Sequence, residues 1–143
     1  MLSNSSKYAV KAVLFLALKS SKEKKIMVKD IYGAINVSEA YLAKLLQELS
    51  RHNIISSIRG PKGGFYVTEE ELHHSLLDIV KVIDGEKRVD SCVLGISECN
   101  VSNPCMLHEL VGPSKTNFLK ILETTTIYDL IHDIKKTDVF FPC

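Results

Sequence analysis

The most constraining feature of this sequence is the segment of residues 54–67, which reads IISSIRGPKGGFYV. Two β-prone runs flank a turn in which Pro61 fixes one backbone angle and the glycines permit left-handed conformations. This pattern predicts a β-hairpin. The cations Arg59 and Lys62 stand at its tip, beside Gly60, with almost no bulk around them.

Two helical patterns precede the hairpin. MVKDIYGA and SEAYLAKLLQELS are separated by the three residues INV, which is the size of a helix-turn-helix. Ser38 is a favourable N-cap, so the second helix is expected to begin at Glu39. Taken alone, the two patterns fit the helices of a plain bundle equally well. The hairpin that follows at once favours a winged helix-turn-helix, a mainly α-helical fold with a small β-hairpin wing.

A helix-turn-helix places its second helix in the major groove of DNA, and a compact basic hairpin can enter the minor groove, whose negative potential attracts arginine. The candidate DNA-binding residues are Ser38, Glu39, Tyr41, Lys44, Gln47, Arg59, Gly60 and Lys62. Ser38, Glu39 and Tyr41 lie at the helix end that enters the groove. Packing beneath the helix is an equal alternative for Tyr41. Lys44 is expected to contact phosphate.

The charge of the chain is distributed unevenly along its length. Residues 1–66 hold eleven lysines and arginines against four acidic residues, a net charge of +7, whereas residues 67–143 hold seven against thirteen, a net charge of −6. DNA binding depends on local positive charge, so the overall net charge of +1 does not exclude it. The first half is therefore the candidate DNA-binding face. A solvated loop is an equal alternative for the cluster of Lys22, Lys24 and Lys25.

Length and composition indicate an ordinary globular protein. At 143 residues, with 45% hydrophobic and 24% charged residues, the chain is about one domain long. No apolar run reaches the roughly 20 residues that cross a bilayer, and lysines interrupt the apolar N-terminal segment. We therefore expect a cytoplasmic protein with a buried first helix and no membrane partner. The sequence contains no nucleophile elbow, phosphate-binding glycine loop or H-E-x-x-H motif, so an enzyme is not predicted.

The second half combines a capped helix, a polar loop and a longer apolar helix. Residues 75–84 have the pattern of a short helix with a Ser-x-x-Asp capping box, and this helix is expected to stop at Gly85. After the polar loop, Asn103 is expected to cap a helix that has Pro104 at its first position. The apolar pattern of this helix continues to about Glu123.

The helix after Pro104 carries more apolar surface than a small winged helix needs. Its apolar residues are Leu107, Leu110, Val111, Phe118, Leu119, Ile121 and Leu122. Packing against a twofold copy would bury this surface, and a homodimer would match a palindromic site in double-stranded DNA. A further capped helix is predicted to run through Ile134. We divide the chain into a winged helix-turn-helix domain (1–85), a cysteine-rich cluster-binding loop (86–103), and a dimerisation helix with a C-terminal helix (104–137).

Three cysteines lie close together in the polar loop, spaced Cys92-x6-Cys99-x5-Cys105, and His108 follows three residues later. Cytosolic proteins rarely keep disulfides, so such a cluster indicates metal ligands or redox-active thiols. In a helix that starts near Pro104, Cys105 and His108 would lie on one face. Thiolates with an imidazole suit zinc or an iron–sulfur cluster. The lack of closely spaced cysteine pairs favours the cluster over zinc, and free thiols remain an alternative.

Several stretches resemble the Rrf-two family of bacterial winged-helix regulators: KYAVKAVLFLA, VSEAYLAKLLQEL, IRGPKGGFYV, LLDIVKVIDG and the three-cysteine loop. The resemblance runs from about residue 5 to residue 131, and the wing sequence RGPKGGF is its most specific part. It implies a homodimer that binds palindromic DNA. It also implies an iron–sulfur cluster held by Cys92, Cys99 and Cys105, with His108 as the fourth ligand of the IscR-like members, which bind [2Fe–2S].

Two features depart from the family pattern, and a third bears on the type of cluster. The six residues between the first two cysteines are one more than is usual. The segment Ser6-Lys7-Tyr8 has no carboxylate of the kind that completes a [4Fe–4S] site in NsrR-like members, so [2Fe–2S] is favoured. Pro113 removes a helical hydrogen bond at a cost of roughly 3 kcal/mol unless the helix bends. A kink near Val111 is therefore expected.

These observations predict a homodimeric transcriptional repressor whose DNA binding responds, through an iron–sulfur cluster, to iron–sulfur status, nitric oxide or redox state. Two alternatives stay open at this point. One is a cluster-free winged-helix regulator that is controlled by a protein partner. The other is a regulator in which the same cysteines form a structural zinc site or a thiol switch.

Overall fold

The structure is a computed structural model that describes residues 2–136. Its helices and strands, in chain order, are α1 (Asn4–Lys19), α2 (Tyr32–Ile35), α3 (Glu39–Arg51), β1 (Ser56–Ile58), β2 (Gly64–Tyr66), α4 (Leu76–Asp84), α5 (Glu86–Val89), α6 (His108–Thr124) and α7 (Ile127–Lys136). Two 3₁₀ turns, Val28–Asp30 and Glu71–His73, precede α2 and α4. No helix within residues 2–136 is long and apolar enough to cross a membrane.

Helix α1 forms the centre of the main hydrophobic core. Its small and branched residues are almost completely buried and pack beside residues of α3, α4 and α7. Ala9, Ala12, Val13 and Leu16 are all 0% exposed. The predicted buried first helix is therefore confirmed, and the C-terminal helix α7 contributes Ile127 to the same core.

The helix-turn-helix begins with a shorter first helix than the sequence pattern suggests. Residues 28–30 form a 3₁₀ turn, and only the four residues of α2 are α-helical before Asn36 adopts a left-handed φ of 59°. The second helix, α3, begins at Glu39, as predicted, because the Ser38 side chain accepts a hydrogen bond from the Tyr41 backbone N–H at 3.3 Å. The helix α3 buries Leu42, Leu45, Leu46 and Leu49.

The predicted β-hairpin follows α3 directly. Strands β1 and β2 pair antiparallel, with Ser56 opposite Tyr66 and Ile58 opposite Gly64. The Gly63 N–H donates to the Gly60 carbonyl at 2.9 Å and closes the turn. Ile26 forms an isolated antiparallel bridge with β2 by exchanging two backbone hydrogen bonds with Phe65, at 2.9 and 2.8 Å. The mainly α-helical fold with a small hairpin wing is thus confirmed.

Helix α4 has the ends that the sequence predicted. The Ser75 hydroxyl accepts from the Asp78 N–H, and the Asp78 carboxylate accepts from the Ser75 N–H, which completes the capping box. The helix ends at Gly85, which has a φ of +82°. Thr126 and Asp129 form the same reciprocal pair at the start of α7. These caps explain why both helices have defined starts.

The start of α6 corrects a sequence-based prediction. Asn103 and Pro104 do not open the helix, which begins at His108. Asn103 is used in the loop instead, because its backbone exchanges hydrogen bonds with the backbone of Asn100 at 3.2 and 3.1 Å, and its side chain donates to the Glu98 carbonyl. Residues 104–107 therefore belong to the cysteine loop.

Helix α6 runs through Pro113 and packs against α4. Leu122 joins Leu77 and Val80 in a second, smaller core cluster, with Phe118 and Leu119 against it. The predicted kink near Val111 stays a prediction, as does the division of the chain at residues 85 and 103. Residue 137, the end of the predicted C-terminal segment, lies outside the described residues.

Candidate DNA-binding surface and cysteine centre

Helix α3 presents a polar face opposite its buried leucines. Ser38, Glu39, Lys44 and Gln47 are all exposed. The arrangement follows from the helical period, since the leucines at 42, 45, 46 and 49 occupy the other side. Four of the five helix residues predicted to meet DNA are therefore accessible to it.

Tyr41, the fifth, is held against α1. Its ring makes an edge-to-face contact with Tyr8, with centroids 6.1 Å apart, and its hydroxyl is hydrogen-bonded to the Ser5 hydroxyl. This geometry favours the packing alternative for the ring. Tyr41 therefore fixes the start of α3 against the start of α1.

The wing tip exposes Arg59, Gly60 and Lys62. A groove of about 580 Å³ separates the wing from the end of α3 and is lined by both elements. A 2.8 Å hydrogen bond between the hydroxyls of Ser50 and Ser57 joins the helix to the hairpin beneath it. This hydrogen bond links the wing to the C-terminal end of α3.

Arg51 was not among the residues predicted from the sequence. It is the last residue of α3, lines the groove beside the wing, and has a side chain that is 71% exposed. It pairs with Glu48 at 2.9 Å, and an exposed pair of this kind contributes little stability. Its position as a cation at the end of the helix that precedes the hairpin was the sequence signal that could have identified it.

The lysine turn of residues 22–25 lies at the far end of the small sheet. The bridge between Ile26 and Phe65 is antiparallel, so the chain reaches Ile26 from the end of β2 that lies opposite the wing tip. The Ser20 hydroxyl, which accepts a hydrogen bond from the Val67 N–H at 3.1 Å, holds the turn at that end. The geometry therefore favours the solvated-loop interpretation of Lys22, Lys24 and Lys25.

The three loop cysteines converge on one point. The sulfur atoms of Cys92, Cys99 and Cys105 all lie within 4.8 Å of one another, and each residue is half-buried. The sulfurs of Cys92 and Cys105 are 3.6 Å apart, and the Cys99 sulfur is 3.3 Å from Nδ1 of His108. These four side chains, which we call the cysteine centre, are those predicted as metal ligands. Cys143 lies outside the described residues.

Short turns hold the cysteine centre together. The Cys92 carbonyl accepts from the Gly95 N–H at 2.9 Å, the Cys99 N–H donates to the Ile96 carbonyl, and the His108 N–H donates to the Cys105 carbonyl at 3.0 Å. Cys105 precedes α6, so the prediction that Cys105 and His108 share a helix face is wrong. A single backbone turn, closed by the His108 N–H and the Cys105 carbonyl, leads from Cys105 into α6 instead.

The loop backbone and the neighbouring thiols change the acidity of the sulfurs. The pKa of the Cys92 thiol is lowered to about 7, chiefly by a backbone hydrogen bond from Ile96. Burial acts in the opposite direction. Hydrogen bonds from the Leu94 backbone and from the Cys105 and Cys99 thiols lower the pKa further. A backbone hydrogen bond from Cys105 lowers the pKa of the Cys99 thiol, but burial and the two neighbouring thiols raise it by more. The net result is a raised pKa for Cys99. Cys92 therefore ionises more readily than Cys99. This matters for metal binding because the thiolate, and not the thiol, is the metal ligand.

The donor set fits a metal or an iron–sulfur cluster. Thiolates and a neutral imidazole bind zinc as single-ion ligands and also bind iron–sulfur clusters. An ion with metal–sulfur bonds of about 2.3 Å holds tetrahedral sulfur ligands about 3.8 Å apart, close to the 3.6 Å between Cys92 and Cys105. The same donors also form two close pairs, Cys92 with Cys105 and Cys99 with His108. The geometry is thus compatible with one ion or with two adjacent irons.

Comparison with known protein families matches residues 2–133 to the Rrf2 family, described as an iron-dependent transcriptional regulator. The chain belongs to the Rrf2 family. It is 29% identical to the HTH-type transcriptional regulator NsrR of Geobacillus kaustophilus over 133 residues, which are 92% of this chain and 90% of that protein. It is 25% identical to the HTH-type transcriptional regulator IscR of Escherichia coli O1:K1, over 96% of this chain and 84% of that protein.

A solved structure of the family has the same fold. The global cysteine regulator CymR of B. subtilis superposes with a TM-score of 0.72 and 26% sequence identity, and the match covers 92% of this chain and 96% of that one. The Rrf2 resemblance that the wing and the cysteine loop indicated is therefore confirmed. This chain is a transcriptional regulator of the Rrf2 family.

Proposed function

We propose that this Rrf2 protein is a homodimeric, DNA-binding repressor whose DNA affinity is set by an iron–sulfur cluster in the cysteine centre. The observation that carries the proposal is the convergence of the Cys92, Cys99 and Cys105 sulfurs on one point, with the His108 ring in contact with the Cys99 sulfur. The family description as an iron-dependent regulator supports it. The cluster would make the protein responsive to iron–sulfur status, nitric oxide or redox state.

A [2Fe–2S] cluster is the favoured form. Such a cluster takes two protein ligands on each iron, and the centre offers two close pairs, Cys92 with Cys105 and Cys99 with His108. The segment Ser6-Lys7-Tyr8, which matches the N-terminal region that supplies a carboxylate ligand in NsrR-like members, has no carboxylate, and the Ser6 hydroxyl is hydrogen-bonded to Asp84. This arrangement supports [2Fe–2S] over [4Fe–4S].

The cysteine loop lies where a change in its conformational order can affect the DNA-binding elements. It begins within a few residues of Gly85, where α4 ends, and it ends at His108, where α6 begins. Helices α4 and α6 pack through Leu77, Val80 and Leu122, while α4 also contacts α1 and α3. A bound group that orders the loop would therefore favour one arrangement of these helices. Such differential stabilisation is typically about 1–3 kcal/mol, or roughly 5–150-fold in affinity.

Exposed apolar side chains on α6 support a dimer. Leu110 is 75% exposed and Ile121 is 51% exposed in a single protomer. Of the apolar residues predicted to face a twofold copy, Phe118, Leu119 and Leu122 pack within the protomer against α4 instead. Leu110 and Ile121 are about three helical turns apart and therefore lie on the same side of α6. Pairing α6 with its twofold copy would bury these two side chains. A twofold dimer carries two recognition helices and therefore suits a palindromic site.

DNA contacts are proposed for the exposed face of α3 and for the wing tip. Ser38 and Glu39 would read base edges near the helix start, with Lys44 and Gln47 further along. Tyr41 would act through the position of the helix start, since its hydroxyl is engaged by Ser5. The residues of the wing, Arg59, Gly60 and Lys62, would meet the minor groove.

A regulator without a cluster is the second candidate function. It is favoured by the structural similarity to CymR, described as a global cysteine regulator. In that case a protein partner would control DNA binding. A third form, with zinc in the cysteine centre, is compatible with the sulfur–sulfur distance of 3.6 Å.

Anaerobic purification followed by iron, sulfide and zinc analysis separates these candidates. The proposal expects iron and sulfide in the wild type, visible absorbance that Cys99→Ala abolishes, and a folded dimer in both. Cys143→Ala is the matched control, because Cys143 lies outside the predicted ligand set, and it should retain the iron. His108→Ala should give a weaker, more labile cluster, since water can partly replace one imidazole.

Promoter affinity of the same proteins tests the regulatory part. Cys99→Ala should shift affinity in the same direction as cluster removal from the wild type. Equal iron in Cys99→Ala and wild type would remove Cys99 from the site. A wild type that takes up no iron or sulfide on reconstitution would exclude the cluster, and zinc alone would favour the third form.

A further inference from the structure

We propose that the cluster-free protein forms an intramolecular disulfide between Cys92 and Cys105 and leaves Cys99 as a free thiol. The inference is about the pairing of the thiols and does not require a bound metal. Its regulatory consequence, given below, rests on the proposed cluster.

The geometry selects the pair. The sulfurs of Cys92 and Cys105 are in contact at 3.6 Å, and a disulfide at about 2.05 Å requires them to approach by roughly 1.5 Å more. Both residues lie in the segment between Val89 and His108, which has no helix or strand. Side-chain rotation with a small shift of this loop can therefore close the distance.

Cys99 is engaged differently. Its sulfur contacts Nδ1 of His108 at 3.3 Å, and His108 is fixed as the first residue of α6. Moving Cys99 into a disulfide would break this contact, whereas joining the other two sulfurs preserves it. The structure therefore assigns Cys99 as the cysteine that stays a free thiol when the other two form the disulfide.

The centre is accessible to a small oxidant. All three cysteines are half-buried, and they line an open cavity of about 270 Å³ beside the start of α6. A peroxide is the class of oxidant required. One cysteine thiolate attacks a peroxide oxygen, the O–O bond breaks, and sulfenic acid and water form; the second thiol then attacks the sulfenic sulfur and releases another water. The two thiols lose two electrons and two protons in total, and hydrogen peroxide is reduced to two waters.

The consequence follows from the ligand set. A disulfide between Cys92 and Cys105 removes two of the four proposed ligands, so the oxidised protein would not accept a cluster until a thiol reductant restores it. Oxidation would thus hold the regulator in its cluster-free form after the oxidant is gone. The disulfide would therefore persist after exposure to peroxide and would block cluster binding until it is reduced.

Differential thiol labelling tests the pairing. The reduced, cluster-free protein, carrying Cys143→Ser so that only the loop thiols remain, is treated anaerobically with one equivalent of hydrogen peroxide. Free thiols are then blocked with N-ethylmaleimide, and the disulfide is reduced and labelled with iodoacetamide. Trypsin yields one peptide, residues 89–115, that contains all three cysteines, and fragmentation in a mass spectrometer locates each label.

The expected result is maleimide on Cys99 and acetamide on Cys92 and Cys105. Cys99→Ser should form the same disulfide, whereas Cys105→Ser should form none between these positions. A circular dichroism spectrum of each variant checks that it remains folded. Acetamide on Cys99, or maleimide on all three cysteines, would overturn the proposal.

Cluster uptake by the oxidised and reduced proteins then tests the consequence. The oxidised protein should take up little iron until dithiothreitol is added, and Cys99→Ser is not used in this step. If neither form takes up iron, the proposed cluster fails while the disulfide assignment stands. If both take up iron equally although the disulfide is present, the consequence fails.

Discussion

The hydroxyl of Ser6, which is 0% exposed, donates a 2.8 Å hydrogen bond to the carboxylate of Asp84. Ser3, the N-cap of α1, donates to the other oxygen of the same carboxylate. Asp84 is the last residue of α4, so one side chain fixes the start of α1 to the end of α4, just before the cysteine loop. The carboxylate also lies at a helix N-terminus, where the helix dipole favours negative charge.

Replacing Asp84 with alanine should lower the free energy of unfolding by about 1.5–3 kcal/mol, because the buried Ser6 hydroxyl loses a charged acceptor. Urea denaturation measures the change. Asp90→Ala, at an exposed position in the following loop, is the matched control and should stay within roughly 0.5 kcal/mol of wild type. Equal effects of the two substitutions would show that the Ser6–Asp84 contact adds nothing to stability.

Arg59→Ala should weaken specific promoter binding by about 1–3 kcal/mol if Arg59 contacts bases. Its circular dichroism spectrum should not change, because the residue is exposed at the wing tip. Lys22→Ala is the matched control, since Lys22 lies at the opposite end of the sheet, and it should bind nearly as wild type does. The role of the wing would be contradicted if Arg59→Ala bound as tightly as wild type at physiological salt.

Lys44→Ala should weaken binding to all DNA sequences by a similar factor and should reduce the salt slope by about one unit, because an exposed lysine on α3 acts through phosphate. Fluorescence anisotropy over a series of salt concentrations gives the slope. Gln47→Ala removes a neutral side chain from the same face and should leave the slope unchanged. A sequence-selective loss with an unaltered slope for Lys44→Ala would point to base readout instead.

Gly63→Ala should deform the wing. A β-carbon at Gly63 would lie 2.0 Å from the Ile58 carbonyl oxygen, which is far inside van der Waals contact. The strands would have to separate, so promoter affinity should fall together with thermal stability. Gly33→Ala, where a β-carbon meets nothing within 4 Å, is the control. Unchanged binding by Gly63→Ala would mean that the wing conformation is not needed for DNA recognition.

Asp129→Asn should reduce stability at neutral pH, with a difference from wild type that disappears in acid. The backbone and side chain of Thr126 lower the pKa of Asp129; His132 and His73 add to this effect, and burial opposes it. Its stabilising contribution is therefore complete above the unfolded value of about 3.9 and is lost as pH falls through the lower folded value. Thermal unfolding from pH 7 downward measures the difference, and a constant difference would contradict the role of the charge.

Local features could be predicted from the sequence because each depends on a few neighbouring residues. Ser38 caps the N-terminus of α3, and Ser75 and Asp78 form the capping box of α4, as predicted. The predicted hairpin turn is closed by the hydrogen bond from the Gly63 N–H to the Gly60 carbonyl. The polar face of α3 follows from the spacing of its leucines. The identity of the three loop cysteines as one group was also clear from their spacing.

Features that depend on contacts distant in the chain were decided only by the tertiary structure. The start of α6 shifts to His108 because Asn103 pairs with Asn100 rather than with a helix, and Tyr41 is held by Ser5 from a different helix. Ile26 joins the wing across many intervening residues, which places the lysine turn away from the wing tip. Hydrogen bonds between residues a few positions apart, such as caps and turns, can be predicted from sequence spacing. The contacts described here join separate elements and therefore depend on how those elements pack.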